Sequence, residues 1–302
     1  MKDLSGRTAF ITGGAQGIGL GIARRLAREG VNLAIVDIDA EALEQARLEL
    51  ETAAPEQSIR VAAYKLDVRD RQAFAQVADQ VEERLGPVSL LFNNAGVASG
   101  VTVAKMTYEM WDWVLGVNLQ GVVNGIQTFL PRMIKRGAAG HLVNTASGAG
   151  LAATNAGFLY TTSKYAVVGL SESLRNELQA AGTGIGVSVL CPGPVATGIV
   201  SRSMMARPGA RQEANSEMLS RLKEVDNHLL QHGVSIDAVG EMVLNGINNN
   251  SAYIFTDRLA EDLVIERTKS ILACLPPRSD KNADTDARSL SLLAGGAGRS
   301  GS

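Results

Sequence analysis

Tyr160 and Lys164 stand four residues apart, Ser147 lies upstream of them, and Thr12–Gly19 reads TGGAQGIG. Four residues is about one helical turn, so in a helix starting near residue 157 the phenol and the ammonium share a face. A cation beside a phenol favours phenolate and lowers its pKa from ~10, as general acid/base transfer to an alcohol or ketone oxygen requires. Ser147 could donate a hydrogen bond to that same oxygen. Taken alone, a Tyr-x-x-x-Lys spacing also fits a surface pair on an amphipathic helix. The neighbouring Tyr165 has Gly169 four residues on, so it offers no rival pairing.

The elements that must hold these residues alternate. Thr8–Thr12 is a short apolar, β-prone run that ends at glycines, and Ile18, Ile22, Ala23 and Leu26 follow at helical spacing. The unit then recurs, with strands at Asn32–Val36, Arg60–Leu66 and Val88–Phe92 and helices near Ala40–Glu51 and Arg71–Leu85. A long amphipathic stretch at about Tyr108–Lys135 precedes strand His141–Thr145, and another at about Gly157–Ala180 precedes strand Gly186–Cys191. Such alternation predicts an α/β fold with a parallel sheet and, through right-handed crossovers, helices on both faces. A helix at Ile236–Asn248, a strand at Tyr253–Thr256 and a helix near Leu259–Leu275 close the domain, expected to span 1–275. Residues 278–302, polar and poor in apolar side chains, read as a disordered tail.

Composition narrows the function. Twenty-nine basic and thirty-one acidic residues give a net charge of −2 with no basic cluster, which argues against nucleic acid as a partner. No apolar run is long enough to span a bilayer and no signal-like segment opens the chain, so cytoplasmic residence without a membrane partner is expected. Cys191 and Cys274 are far apart, with neither CxxC nor a Cys/His cluster, so no metal site is expected. His228 and His232 share helical spacing but lack a third ligand in sequence.

Gly13, Gly17 and Gly19 fall where the first strand turns into the first helix, a place where a pyrophosphate can rest on free N–H groups at a helix N-terminus. Asp37 ends the second strand, where a carboxylate can accept from an adenine ribose hydroxyl; it could equally cap the following helix. A carboxylate there repels a 2′-phosphate, and Gly14, Ala15, Gln16 and Ile38 supply no cation to offset it. NAD is therefore expected over NADP.

With these motifs in order, the chain resembles the short-chain dehydrogenase/reductase family, of the common, roughly 250-residue type. TGGAQGIG is similar to the family's TGxxxGIG, Asp67-Val68 to its adenine-contacting pair, Asn93-Asn94-Ala95-Gly96 to its NNAG turn, and Pro192-Gly193 with Thr197 to its nicotinamide-holding segment. The likeness covers about Leu4–Cys274. It implies a Rossmann-like doubly wound sheet of seven strands, order 3-2-1-4-5-6-7, and a catalytic set of Asn118, Ser147, Tyr160 and Lys164. It also implies cofactor contacts from Gly13, Gln16, Gly17, Ile18, Gly19, Asp37, Asp67, Val68, Asn94, Pro192, Gly193, Val195 and Thr197, besides Tyr160 and Lys164. By the same resemblance Tyr160 exchanges the substrate oxygen's proton, Ser147 orients that oxygen, Lys164 lowers the Tyr160 pKa and holds the ribose, and Asn118 holds a proton-relay water. Homodimers or homotetramers built on the two long helices are implied too.

Between Gly193 and about residue 230 the pattern loosens into a Met-, Ser- and Arg-rich insertion, read as a lid over the site or as a peripheral helical decoration. Met204, Met205, Met218, Leu219 and Leu222 line a pocket or seat the lid; Arg202, Arg207 and Arg211 face solvent or receive a substrate carboxylate. The uncharged segment Gly148–Phe158 suggests an apolar substrate pocket. Trp111–Met133, Asn144–Leu151 and His232-Gly233 are similar to Cα-dehydrogenases of lignin-derived aryl ethers, implying a bulky aryl or hydrophobic secondary alcohol. Steroid-like or 3-oxoacyl carbonyls, or a nucleotide-binding regulator without chemistry, are the alternatives.

Overall fold

The computed structural model describes residues 3–52, 59–154, 156–210 and 215–277. Seven parallel strands form one sheet: β1 (Thr8–Thr12), β2 (Asn32–Asp37), β3 (Val61–Lys65), β4 (Val88–Asn93), β5 (Gly140–Thr145), β6 (Ile185–Cys191) and β7 (Tyr253–Phe255). Their spatial order is β3-β2-β1-β4-β5-β6-β7, the doubly wound arrangement expected. The order reverses beside β1, so the carboxyl ends of β1 and β4 diverge into a crevice suited to a ligand. Both faces of the central strands are covered, which is why they read as continuous apolar runs rather than alternating ones.

Helices α1 (Gly17–Arg28), α2 (Ala40–Thr52) and α9 (Ile236–Asn248) bury one face, where Ile11, Leu33, Ile35, Phe92 and Leu190 meet Ile22, Leu26 and Val243. Glycines let two of these helices touch: a Cβ on Gly21 would sit 2.1 Å from the Ile236 carbonyl oxygen, and one on Gly240 2.4 Å from that of Gly21. Helices α3 (Arg71–Leu85), α5 (Gly121–Arg136) and α6 (Phe158–Ala180) cover the other face. There Phe10 packs on Phe129 and Phe74 with ring centroids 4.7 and 5.5 Å away.

The long stretch expected at 108–135 is one helical run interrupted in the middle. After α4 (Tyr108–Leu115) a single π turn, Gly116–Gln120, inserts one extra residue, its Gly121 N–H reaching back to the Gly116 carbonyl. Such bulges often accompany functional sites. The cause of the close fit is glycine: a Cβ on Gly121 would meet Val68 Cγ2 at 2.8 Å, and one on Gly116 would meet Arg69 Cδ at 3.0 Å.

The insertion is more helical than the loosened pattern suggested. It holds α7 (Ile199–Ala206) and α8 (Ser216–His232), the latter capped by Asn215, whose side chain accepts from Met218 N–H at 2.8 Å. Its two ends are stitched together by a parallel bridge, Val195 to Val234, with Ala196 N–H donating to Val234 O at 2.9 Å. Gly233 permits this, since a Cβ there would meet Ala196 N at 2.7 Å. Tertiary contacts divide the chain into a unit reaching Glu261 and a second beginning at Asp262. Helix α10 (Glu261–Ala273), all but the first residue of which belongs to the second, buries none of its residues. Residues 278–302 and Arg211 lie outside the described residues.

Candidate active site

The first β-to-α turn is built for close approach. Gly13 and Gly17 hold φ of +62° and +54°, open to glycine at little cost. A Cβ on Gly19 would lie 2.1 Å from the Gly13 carbonyl oxygen. Gln16 precedes α1 without a side-chain cap, and no acidic residue occupies its first turn, so its N–H groups face the crevice with their partial positive charge uncompensated. Asn94 braces this turn from β4: its Nδ2 donates to the Thr12 and Gly13 carbonyls at 3.1 and 3.3 Å, while Thr12 Oγ1 accepts from the Asn94 and Ala95 N–H groups. Thr12 is a positioning residue that motif reading passed over.

At the end of β2, Asp37 accepts from the N–H of Ala15 at 3.4 Å and of Asp39 at 3.2 Å. Burial pushes its carboxyl above the usual range, opposed by those backbone donors. The capping role open to Asp37 belongs instead to Asp39, whose Oδ1 accepts from Glu41 and Ala42 N–H, both at 3.1 Å. Asp67 ends the next βα turn in an ion pair with Arg69 at 2.6 Å, whose hydrogen bond holds its carboxyl below the usual range. Asn124, also unflagged by motif, fixes this segment by donating to Val68 O at 2.8 Å.

The second end of the cleft lies at β5, β6 and α6. Ser147 Oγ accepts from Ala149 N–H at 3.2 Å, donates to Pro192 O at 3.4 Å, and lines the same end of the cleft as the Tyr160 phenol. Lys164, 3% exposed, donates from Nζ to Thr145 O at 2.9 Å and lies 5.5 Å from the centroid of the Tyr160 ring. The pKa balance differs from the expectation that the ammonium depresses the phenol. Burial pushes Tyr160 up, the Ser147 hydroxyl alone works against it, and burial pulls Lys164 down to about 8. The geometry explains this: the ammonium is satisfied by a carbonyl and faces the ring rather than the phenol oxygen.

Asn118, on the π turn, is fully buried and engaged. Its Oδ1 accepts from Val97 N–H at 2.8 Å, and its Nδ2 donates to Val97 O and Ser163 Oγ, both at 3.0 Å. Ser163 Oγ in turn donates to the Tyr160 carbonyl at 2.7 Å. Asn118 therefore ties the strand-end loop to the helix that carries Tyr160. A Cβ on Gly96 would be 3.4 Å from Asn118 Oδ1 and 3.5 Å from Lys164 Nζ, so this glycine keeps the two side chains within reach of each other.

One cavity of about 630 Å³ joins both ends. Gly13, Gln16, Gly17, Ile18, Asp37, Asp67, Val68, Asn94, Pro192, Gly193, Val195, Thr197, Ser147, Tyr160 and Lys164 all line it. Gly19 and Asn118 act from behind the surface. The apolar wall comes from Trp113, Val117, Val97, Ile199 and Met205, and not from 148–158, of which no described residue lines the cavity. Of the insertion's apolar side chains, Met205 reaches the cavity, Met204 Sδ comes within 2.9 Å of where a Gly100 Cβ would be, and Leu222 is buried. His228 and His232 stack on each other, centroids 4.5 Å apart, on the exposed part of α8.

The family model described as short chain dehydrogenase matches residues 7–207. The chain belongs to the short-chain dehydrogenases. Among its relatives, a C alpha-dehydrogenase of Sphingobium sp. (strain NBRC 103272 / SYK-6) is 34% identical, with 99% of this chain and 96% of that protein aligned. A short-chain dehydrogenase/reductase from Burkholderia phymatum, solved in complex with NAD, is 33% identical over 92% of this chain and 99% of its own, with a TM-score of 0.82. The apo form of LigD from Sphingobium sp. strain SYK-6 is 33% identical over 91% and 100%, with a TM-score of 0.74. Like other short-chain dehydrogenases, this one is an oxidoreductase of the alcohol dehydrogenase or ketoreductase kind, using a nicotinamide cofactor. The residues fit such a group: a glycine-rich turn, an uncapped helix N-terminus and a cleft that joins them to Tyr160. Among the described residues, no helix is long and apolar enough to cross a membrane.

Proposed function

We propose that this short-chain dehydrogenase interconverts a bulky hydrophobic or aryl secondary alcohol and its ketone, with NAD as the preferred cofactor and Tyr160 as general acid/base. The observation that carries this reading is the convergence of Ser147, Tyr160 and Lys164 on one end of the cleft, opposite the glycine turn. Bound there, the nicotinamide supplies the hydride acceptor or donor. Tyr160 takes or gives the proton of the substrate oxygen, and Ser147 holds that oxygen and shares its developing charge. Asn118 and Ser163 keep the Tyr160 turn in place, and Lys164 contributes positive charge beneath the ring.

The substrate class follows from the wall of Trp113, Val117, Ile199 and Met205, apolar and without a charge of its own. It agrees with the C alpha-dehydrogenase relative. The NAD preference rests on Asp37, and on the Asp39 and Glu41 side chains that flank a second cavity of about 480 Å³ beyond the same turn. A homodimer or homotetramer is the proposed assembly, since Leu119, Ile126 and Leu170 on the π turn, α5 and α6 stay only partly buried. A sedimentation run at micromolar concentration showing only monomer removes it. A panel of aryl and alicyclic carbinols, followed by absorbance of the reduced cofactor, tests the reaction. Turnover of the aryl carbinols with NAD is expected; turnover confined to small polar alcohols, or none, overturns the reading.

A further inference from the structure

Three cations line the cleft among the described residues: Arg69, Lys164 and Arg202. Two are committed, Arg69 to the Asp67 carboxylate and Lys164 to the Thr145 carbonyl. Arg202, on α7, is different. Its backbone N–H continues the helix to Gly198 O, yet among the described residues no ion pair or side-chain hydrogen bond engages its guanidinium. Two glycines locate that guanidinium. A Cβ on Gly17 would lie 3.9 Å from Nη2, and one on Gly198 2.7 Å from Nη1. Gly17 is the first residue of α1, so the fork hangs over the helix N-terminus whose N–H groups carry no side-chain cap.

The acids around it leave it available. Asp226 of α8 comes close, its Oδ2 3.4 Å from that same Gly198 Cβ position, but its Oδ1 accepts from Ser201 N–H and the pair is not formed. Asp37 is held by the N–H groups of Ala15 and Asp39, and Asp39 caps α2. We propose that Arg202 is a pyrophosphate-binding residue contributed by the insertion. The α1 N–H groups take the two phosphates from below, and the planar five-donor fork takes them from above, a geometry suited to bidentate phosphate contact. In this role the insertion answers to the cofactor first. One residue on, Ser203 Oγ accepts from Ala98 N–H at 2.9 Å, which moors the same helix to the loop beside the active site. A substrate carboxylate is the other partner open to this cation, but the proposed reacting oxygen of the substrate sits at Ser147 and Tyr160, whereas the Arg202 fork lies at Gly17 and Gly198, beside the glycine turn.

This inference rests on the proposed dinucleotide cleft, and its test separates the two. Titrations by NADH fluorescence on the full chain compare the unaltered protein with R202A, R202K and R202E, and ADP and adenosine serve as competing probes. R202A should weaken NADH and ADP about tenfold, R202E more and R202K less, while adenosine, which lacks phosphate, keeps its affinity. The salt dependence of NADH binding should flatten in R202A. Equal NADH affinity in R202A overturns the assignment, and so does an equal loss for adenosine, a loss confined to NADPH, or a KM change only for carboxylated carbinols. An unaltered protein that binds neither NADH nor ADP removes the cofactor reading itself; binding that is indifferent to Arg202 removes only this step.

Discussion

Asn118, Ser163 and Lys164 on the floor of the cleft are between 0% and 3% exposed, and each is held by hydrogen bonds to residues far away in sequence. Above them, α7 and α8 bury one residue each, Ser203 and Leu222. The floor is fixed by a sheet and by helices packed on both of its faces, so its groups stand preorganised. The cover is pinned at its base by the Val195–Val234 bridge and otherwise by few contacts, the condition for opening at low free-energy cost. Rate should therefore answer to the floor, and affinity or access to the cover.

The widest gap between the two regions is expected at Tyr160. Tyr160→Phe removes the proposed proton-transfer group and leaves the ring, so kcat should fall about 10²–10⁴-fold while NADH binding stays nearly unchanged. A variant at full rate breaks the comparison at its strongest point.

Lys164 gives the next largest effect, and it is readable in stability as well as in rate. Its folded pKa, about 8, is below the ~10.4 of an unfolded lysine. Below pH 8 both states hold the proton and the cost of burying the charge is fully present. Between about pH 8 and 10.4 the unfolded chain binds more protons, so stability rises with pH and the cost fades. Relative to Lys164→Met, the unaltered protein should gain up to ~3 kcal/mol across that window, measured by denaturant unfolding at a series of pH values. A stability difference flat with pH would mean that the ammonium is solvated and the floor less closed than it is drawn.

The floor was also the more legible region in the sequence. Gly13, Gly17, Tyr160 and Lys164 are constrained by local spacing, one turn or one helix at a time, and βα alternation gives the parallel sheet, while its strand order comes from the family resemblance. What escaped depends on distant partners. The π turn that buries Asn118 requires Gly116 and Gly121 to meet Val68 and Arg69, a contact no periodicity encodes. Thr12 and Asn124 act through backbone groups in the loops that follow β4 and β3, so their types alone carry no signal. The uncharged run 148–158 suggests an apolar wall because it joins Ser147 to Tyr160 in sequence; α4, the π turn and α7 supply that wall in space. The cover read as irregular because its helices bury little, and a weak apolar face leaves a weak helical pattern.

Asp37 lies between the two regions, and its expected effect is smaller. Asp37→Ala should narrow the proposed preference for NAD over NADP by about tenfold, because a carboxylate at that position repels a 2′-phosphate and the glycine turn persists without it. The ratio of kcat/KM values for the two cofactors reads this directly. An unchanged ratio shifts the discrimination to Asp39 and Glu41 at the neighbouring cavity.

The finest test falls on the cover. Ser203 Oγ accepts from Ala98 N–H at 2.9 Å, and Ser203 is the one buried residue of α7, so this bond is its mooring to the strand-end loop. Ser203→Ala leaves that N–H without its partner, at a cost of about 1 kcal/mol, too little to unfold a domain of this size but enough to shift a local opening equilibrium several-fold. Limited proteolysis within the insertion should quicken and KM for the carbinol should rise, with kcat held because Tyr160, Ser147 and Lys164 keep their floor contacts. If kcat falls instead and the cleavage rate stays put, then the loop beside the active site transmits the change to Tyr160 through Val97 and Asn118, and cover and floor act as one body.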